Sequence, residues 1–241
     1  MDKIHLSVII PAYNEANKIS ATLLDVDKYL SKQKYNYEIL VVSDGSTDGT
    51  AKIVKKMQEL VKNLKIIDNK KNHGKGYVVK QGMLEAKGKY GLFMDADNST
   101  TINHLDKFWP ETKKHDIVIG SIEIKGAKIE ETAAWYRRWL GKLAKYVIRI
   151  IAGLWEVKDS QRGFKLFSEK SVKKLFPKQT LMRWGFDFEI LALAKKMGFK
   201  IKEVPVKWKN PPGKVTLSSY FKTFGELLKI KWNFLINKYK I

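Results

Sequence analysis

The sequence predicts an α/β fold, a mostly parallel sheet flanked by helices. Three observations carry this. Short apolar runs alternate with longer stretches of helical periodicity through the first 120 residues. The first of them, Leu6–Ile10, reads as an apolar run ended by Pro11, as a strand buried on both faces requires. The 241-residue chain, 44% hydrophobic and 12% aromatic, also has the apolar material for a sizeable core.

Leu6–Ile10 is the first strand, ended by Pro11. Asn14–Leu30 follows as a helix, with Asn14 as a candidate N-cap and Ile19, Leu23, Val26 and Leu30 at helical spacing. Tyr37–Val42 is the second strand. Ser46, Thr47 and Asp48 supply capping oxygens for a helix running to about Val61. Leu64–Asp68 is a strand, Gly74–Ala86 a helix, Tyr90–Met94 a strand ending at Asp95, and Ile117–Ser121 a fifth strand. This β-α-β alternation is the pattern of a doubly wound sheet.

The rest is less regular. Glu130–Leu154 reads as one or two helices rich in Trp, Tyr, Arg and Lys. Gly163–Phe167 is a short strand, Phe186–Met197 a helix closed by Gly198, and Ile201–Val206 a strand. Ser218–Tyr239 is a helix with Phe221, Phe224, Leu228, Trp232, Leu235 and Tyr239 on one stripe and Lys222, Lys229 and Lys238 off it. No repeat or linker interrupts the chain. A single domain over residues 1–241 is expected, with a 1–121 half and a basic 122–241 half.

Charge divides along that line. Residues 1–120 hold 19 basic and 15 acidic side chains, and residues 121–241 hold 27 and 10. The second half is built to face something anionic, a membrane surface or nucleic acid. No RRM, KH, zinc-finger or helix-turn-helix pattern accompanies it, so nucleic acid is the weaker alternative. The lack of cysteine excludes disulfides and thiolate metal sites. The apolar stretch Tyr146–Val157 contains Arg149 and falls short of the ~18–20 residues of a membrane span. Met1–His5 runs into a strand without a signal-peptide core. The expectation is a cytoplasmic protein, peripheral on the inner face of the membrane.

Ligands of such sheets bind at the carboxyl ends of the strands. Four loops there carry unusual residues. Pro11-Ala12-Tyr13-Asn14-Glu15 sets an aromatic near a carboxylate, suited to a flat heterocycle and equally to a strand cap. Ser43-Asp44-Gly45-Ser46-Thr47-Asp48-Gly49-Thr50 offers a carboxylate for a base or ribose, or a glycine turn with a cap. Asn72-His73-Gly74-Lys75-Gly76 places a lysine between glycines at a helix start, a natural phosphate contact that is not a Walker A loop. Met94-Asp95-Ala96-Asp97 sets two carboxylates one residue apart after an apolar strand. Their repulsion favours a cation between them, and a hard divalent ion takes one or two carboxylates plus phosphate oxygens.

Together, and in this order, these motifs resemble the family 2 glycosyltransferases of GT-A fold. Asp159-Ser160-Gln161-Arg162-Gly163-Phe164-Lys165, Arg183-Trp184-Gly185-Phe186-Asp187-Phe188-Glu189 and Glu203-Val204-Pro205-Val206 look like the polyprenyl-phosphate branch, most like dolichyl-phosphate β-glucosyltransferases. The resemblance implies inverting transfer of a nucleotide-activated hexose, glucose from UDP-glucose, to a polyprenyl or dolichyl phosphate. GDP-mannose as donor, or a hydroxyl acceptor, is the alternative. By analogy, Pro11, Ala12, Tyr13, Glu15, Asp44, Lys75, Asp95 and Ala96 bind the nucleotide-sugar. Asp95 and Asp97 hold Mg²⁺ or Mn²⁺, and Gln161 lines the sugar pocket. Arg137, Arg138, Lys209 and Lys214 meet the acceptor phosphate. Asp187 stands where a hydroxyl acceptor would need a base; with a phosphate acceptor it is expected to orient a helix or a basic side chain.

Three positions depart from the family pattern. Ser43 replaces the first of two aspartates, Ile122 stands where an arginine often follows the fifth strand, and Ser99 replaces a third metal ligand found in mannose synthases.

Overall fold

The computed structural model describes residues 3–130, 146–209 and 217–241. Its centre is a seven-stranded sheet in the order β3-β2-β1-β4-β7-β5-β8. The strands are β1 (Leu6–Ala12), β2 (Tyr37–Asp44), β3 (Leu64–Asn69), β4 (Tyr90–Met94), β5 (Ile117–Ser121), β7 (Phe164–Ser168) and β8 (Ile201–Pro205). β7 runs antiparallel to both neighbours, β4 and β5, and every other pair is parallel. The pattern predicted most of these strands but not the reversal of β7, since strand direction leaves no trace in a five-residue segment. A two-stranded parallel ribbon pairs β6 (Lys128–Glu130) with β9 (Lys207–Lys209).

Helices α1 (Ile19–Leu30), α2 (Thr50–Met57) and α4 (Leu105–Phe108) cover one face with Ile19, Leu23, Val26, Val54 and Phe108. The other face carries α3 (Lys75–Glu85), α5 (Glu169–Leu175), α6 (Phe186–Lys196) and α7 (Leu217–Leu235). Its core joins Val79, Met83, Phe93, Ile119, Phe176, Ile190, Leu227 and Ile230. The halves expected from charge share this sheet, because β7 and β8 of the second half flank β5 of the first.

Three expectations change. Asn14 does not start α1; it is left-handed at φ 54°, which Asn tolerates, and the helix begins at Ile19. The Glu130–Leu154 stretch opens in β6, and residues 146–151 are helical; 131–145 lie outside the described residues. Tyr239 is not on the α7 stripe. The helix ends at Leu235, and a turn carries Tyr239 into the core, where its hydroxyl donates to Glu189 Oε1 at 2.8 Å.

Candidate active site

The carboxyl ends of β1, β2 and β4 meet the start of β7 at one end of the sheet's strands. The first two loops are stitched together. Thr47 N–H donates to Asn14 Oδ1 (2.8 Å), Glu15 N–H to Thr50 Oγ1 (2.9 Å) and Ala16 N–H to Asp48 Oδ2 (3.0 Å). Asp48 also accepts from Thr50 N–H at 3.0 Å, so one carboxylate caps α2 and holds the β1 loop. Pro11 and Ala12 are buried within β1, while Tyr13 is exposed beside them.

Asp44 ends β2 and is buried. Its carboxylate accepts from His73 N–H (2.7 Å), Gly74 N–H (2.8 Å) and Asn72 Nδ2 (2.9 Å). It therefore anchors the loop that delivers Lys75, a partnership the sequence did not announce. Gly74, at φ 103°, lies against the Met182 carbonyl so closely that a Cβ would overlap it. Ser43, in place of the family aspartate, is buried with its hydroxyl 3.3 Å from that of Ser46.

Lys75 Nζ lies 2.6 Å from Asp95 Oδ1. It also sits 5.2 Å and 5.1 Å from the ring centroids of Phe93 and Trp184. Burial works against the Lys75 ammonium, but the fields of Asp95, Asp187 and Asp97 outweigh it and hold the group above its ordinary range. Asp95 is placed by its N–H, which donates to Gly163 O at 3.0 Å. Gly163 is required there because a Cβ would overlap the Asp95 carboxyl group. Asp97 Oδ1 accepts from Ser99 N–H at 3.0 Å, and the buried Ala96 carbonyl accepts from Thr22 Oγ1 at 2.7 Å. Burial raises Glu15 above the usual carboxylate range; Lys18 opposes this, while Asp97 and Asp95 add to it. Three carboxylates thus feel one another at the strand ends.

No set of three His, Cys, Asp or Glu side chains is placed to hold an ion among the described residues. Asp95 and Asp97 offer two hard carboxylates, a donor set that fits Mg²⁺ or Mn²⁺ with the remaining positions left to phosphate and water.

Behind Lys75, β7 carries Lys165 into the apolar layer, in register with Phe93 and Ile119. Lys165 is 1% exposed and Asp187, in the first turn of α6, 4%. Lys165 Nζ lies 2.5 Å from Asp187 Oδ1. Burial raises Asp187 above the carboxylate range, against the opposing charges of Lys165 and Lys75. In the sequence Lys165 stands inside the Asp159–Lys165 motif, and a lysine within an apolar strand is the signal for a buried partner.

On the other flank, Asp159 accepts from Ile122 N–H (3.0 Å) and pairs with Arg162 Nε (3.1 Å). The Arg162 guanidinium stacks 4.3 Å above the Trp208 ring. Gln161 is half-buried beside it. Lys209 N–H donates to Ser99 O at 2.9 Å, which brings β9 to the Asp95–Asp97 loop. Arg137, Arg138 and Lys214 lie outside the described residues.

The family model for Glycosyl transferase family 2 matches residues 7–176. The chain belongs to that family. The transferase is 34% identical over 258 residues to a dolichyl-phosphate beta-glucosyltransferase of Dictyostelium discoideum, covering 100% of this chain and 78% of the relative. A Saccharomyces cerevisiae protein of the same name is also 34% identical, over 99% of this chain and 78% of its own. The fold is shared with mannosyl-3-phosphoglycerate synthase from Rubrobacter xylanophilus at a TM-score of 0.72 and 15% identity, covering 99% of this chain and 76% of that one. It is also shared with a mannosyltransferase from Pyrobaculum calidifontis solved with GDP-Man and Mn²⁺, at 0.61 and 18%, covering 98% and 65%. The transferase is thus a GT-A enzyme with a mostly parallel sheet.

Proposed function

We propose that this transferase moves glucose from UDP-glucose to the phosphate of a polyprenyl or dolichyl lipid, with inversion at the sugar carbon. It works as one catalytic domain, with residues 1–121 taking the donor and 122–241 the acceptor. Relatives named dolichyl-phosphate beta-glucosyltransferase match 99–100% of the chain at 34% identity, and the observation that carries the choice of acceptor is the Lys165–Asp187 pair. A hydroxyl acceptor needs a base to take its proton. Asp187 is buried and bound to Lys165 at 2.5 Å, an arrangement for orienting a cation. A phosphate monoester is already anionic at neutral pH and needs no such base.

The remaining task is to hold two anionic partners together and stabilise the departing nucleoside diphosphate. Pro11, Ala12, Tyr13 and Glu15 form the nucleoside cradle. Asp44 contributes by fixing the loop that presents Lys75 to the diphosphate. Asp95 and Asp97 would hold a divalent cation, which supplies Lewis-acid charge to the leaving diphosphate. Gln161 lines the sugar pocket. Lys209, with Arg137, Arg138 and Lys214, meets the acceptor phosphate.

The acceptor's chain stays in a bilayer, so the enzyme works at a membrane surface. Attachment is peripheral, on the cytoplasmic side; no helix among the described residues is long and apolar enough to cross a membrane.

A donor screen tests the reading. Purified protein receives UDP-glucose or GDP-mannose and a short polyprenyl phosphate, with Mg²⁺, with Mn²⁺ or with chelator. The expected product is a glucosyl phosphate lipid, formed only with metal. Transfer from GDP-mannose alone, or to hydroxyl acceptors alone, would overturn it.

A further inference from the structure

Helix α7 has two apolar faces. One packs on the core through Leu227, Ile230 and Asn233, all at most 2% exposed. The other presents Phe224, Leu228, Trp232 and Leu235, which are 46%, 48%, 61% and 72% exposed, and Ile236 continues it past the helix end. Spacings of four, four and three residues keep these side chains on one stripe about 16 Å long at the helical rise. A helix that only packs on its own domain has one apolar face, with polar residues opposite.

The borders of the stripe are basic. Lys222 and Lys229 lie along one side and Lys231 along the other, all exposed, and Lys238 and Lys240 follow the helix. From residue 217 onward the chain holds five lysines and one carboxylate, Glu226. That carboxylate is turned inward, where Glu226 Oε2 accepts from Gly185 N–H at 2.8 Å. The outer face therefore combines large apolar side chains with exposed lysines.

The same inward contact ties the helix to the active site. Gly185 follows Trp184, whose exposed ring lies 5.1 Å from Lys75 Nζ, and Lys75 pairs with Asp95. The helix that carries the outer stripe thus also contacts, through its inner face, the loop at the mouth of the site.

We propose that the outer stripe of α7 is a membrane-docking surface for an anionic bilayer: Phe224, Leu228, Trp232 and Leu235 enter the headgroup–acyl boundary while the flanking lysines meet acidic headgroups. The charge selects the bilayer over an apolar protein groove. A lipid surface takes up the stripe and the cations together, as interfacial amphipathic helices do. Docking brings the domain that carries the Lys75–Asp95 site to the surface where a lipid phosphate emerges. The proposal rests on a membrane-resident acceptor for its purpose, but its geometry stands apart from the identity of the sugar.

The test uses the full chain and vesicles of phosphatidylcholine with or without phosphatidylserine. The wild type should sediment with the anionic vesicles at low salt, bind neutral ones poorly, and release in high salt. The variant L228S/W232S/L235S, altered only at exposed positions, should lose at least tenfold in vesicle partitioning. It should keep the wild-type melting temperature and wild-type turnover of a short, water-soluble polyprenyl phosphate. Leu227→Ser, on the inner face, should lower the melting temperature instead. Equal partitioning of the triple variant and the wild type overturns the proposal, as does a wild type that ignores anionic vesicles. A wild-type dimer in solution that the triple variant abolishes, without vesicle binding, assigns the stripe to a second copy and also overturns it. If no donor supports turnover yet stripe-dependent vesicle binding persists, the glucosyl-transfer reading fails and the docking surface stands.

Discussion

Lys75 Nζ and Asp95 Oδ1 are 2.6 Å apart, so the lysine delivered by one strand-end loop occupies a carboxylate that a divalent cation would need. A divalent cation held by Asp95 and Asp97 would compete with Lys75 for Asp95 and would free the lysine for the donor diphosphate, so metal and donor binding would favour each other. Lys75→Met should therefore act in opposite directions. Mn²⁺ affinity without nucleotide should tighten about fivefold, since a partly exposed pair contributes up to about 1 kcal/mol. UDP affinity should weaken about tenfold. Titration calorimetry reads both; a loss of Mn²⁺ affinity in the variant would make Lys75 a support of Asp95 rather than its competitor.

The Lys165–Asp187 pair predicts a different signature. Removing one partner leaves a buried charge alone, at about 3–5 kcal/mol, whereas replacing both by apolar residues is often neutral. Lys165→Met should lower stability by about that amount, and K165M/D187L should recover most of it. Chemical denaturation of the two single and the double variants closes the cycle. Additive losses would show that the two side chains contribute independently.

Much of this arrangement was legible in the sequence, and the reasons it stopped are physical. Tyr90–Met94 and Ile117–Ser121 match the observed strands to the residue, because each is a five-residue apolar run between polar breaks, too short for a helix. The start of α1 differs because Asn14–Lys18 is compatible with a helix, whereas Asn14, Glu15 and Ala16 bond across space to the β2 loop. The motif around Asp44 was visible, but its anchoring of Gly74, 30 residues away, was not, since spacing along the chain does not disclose hydrogen bonds between loops. The α7 stripe was read correctly as a stripe from Phe224 to Leu235. Its exposure could not be read, because periodicity shows which residues share a face and not what that face meets. The side chain of Phe221 lies outside the described residues.

Glu38 predicts the acid limb of stability. It is 3% exposed and accepts from Ser7 Oγ (2.7 Å), Lys65 Nζ (2.8 Å) and Lys87 N–H (2.8 Å). Burial alone would raise its pKa, but these bonds outweigh burial and hold it below the usual range. A depressed carboxylate contributes stability above its unfolded pKa, about 4.3, that is lost as pH falls through the folded value. Glu38→Gln should flatten the decline of melting temperature below about pH 4, leaving turnover near wild type. An unchanged acid limb would mean that other carboxylates dominate it.

The last prediction concerns Gly163. Its carbonyl fixes Asp95 N–H, and its missing side chain leaves room for the Asp95 carboxyl group. A methyl group there must displace that carboxylate, and a misplacement of about 1 Å at a reacting centre can cost on the order of a hundredfold. Gly163→Ala should accordingly lower kcat/KM by about that factor while the melting temperature changes little, because the strain relaxes into a partly exposed side chain. The cause is isolated by a second background. In Asp95→Ala the obstructing carboxyl group is gone, so adding Gly163→Ala should leave Mn²⁺ and UDP affinity where Asp95→Ala alone sets them. Coupling of this kind is expected between residues in direct contact. If Gly163→Ala weakened nucleotide binding equally in both backgrounds, the glycine would be acting on the sugar pocket through Gln161 and not through Asp95.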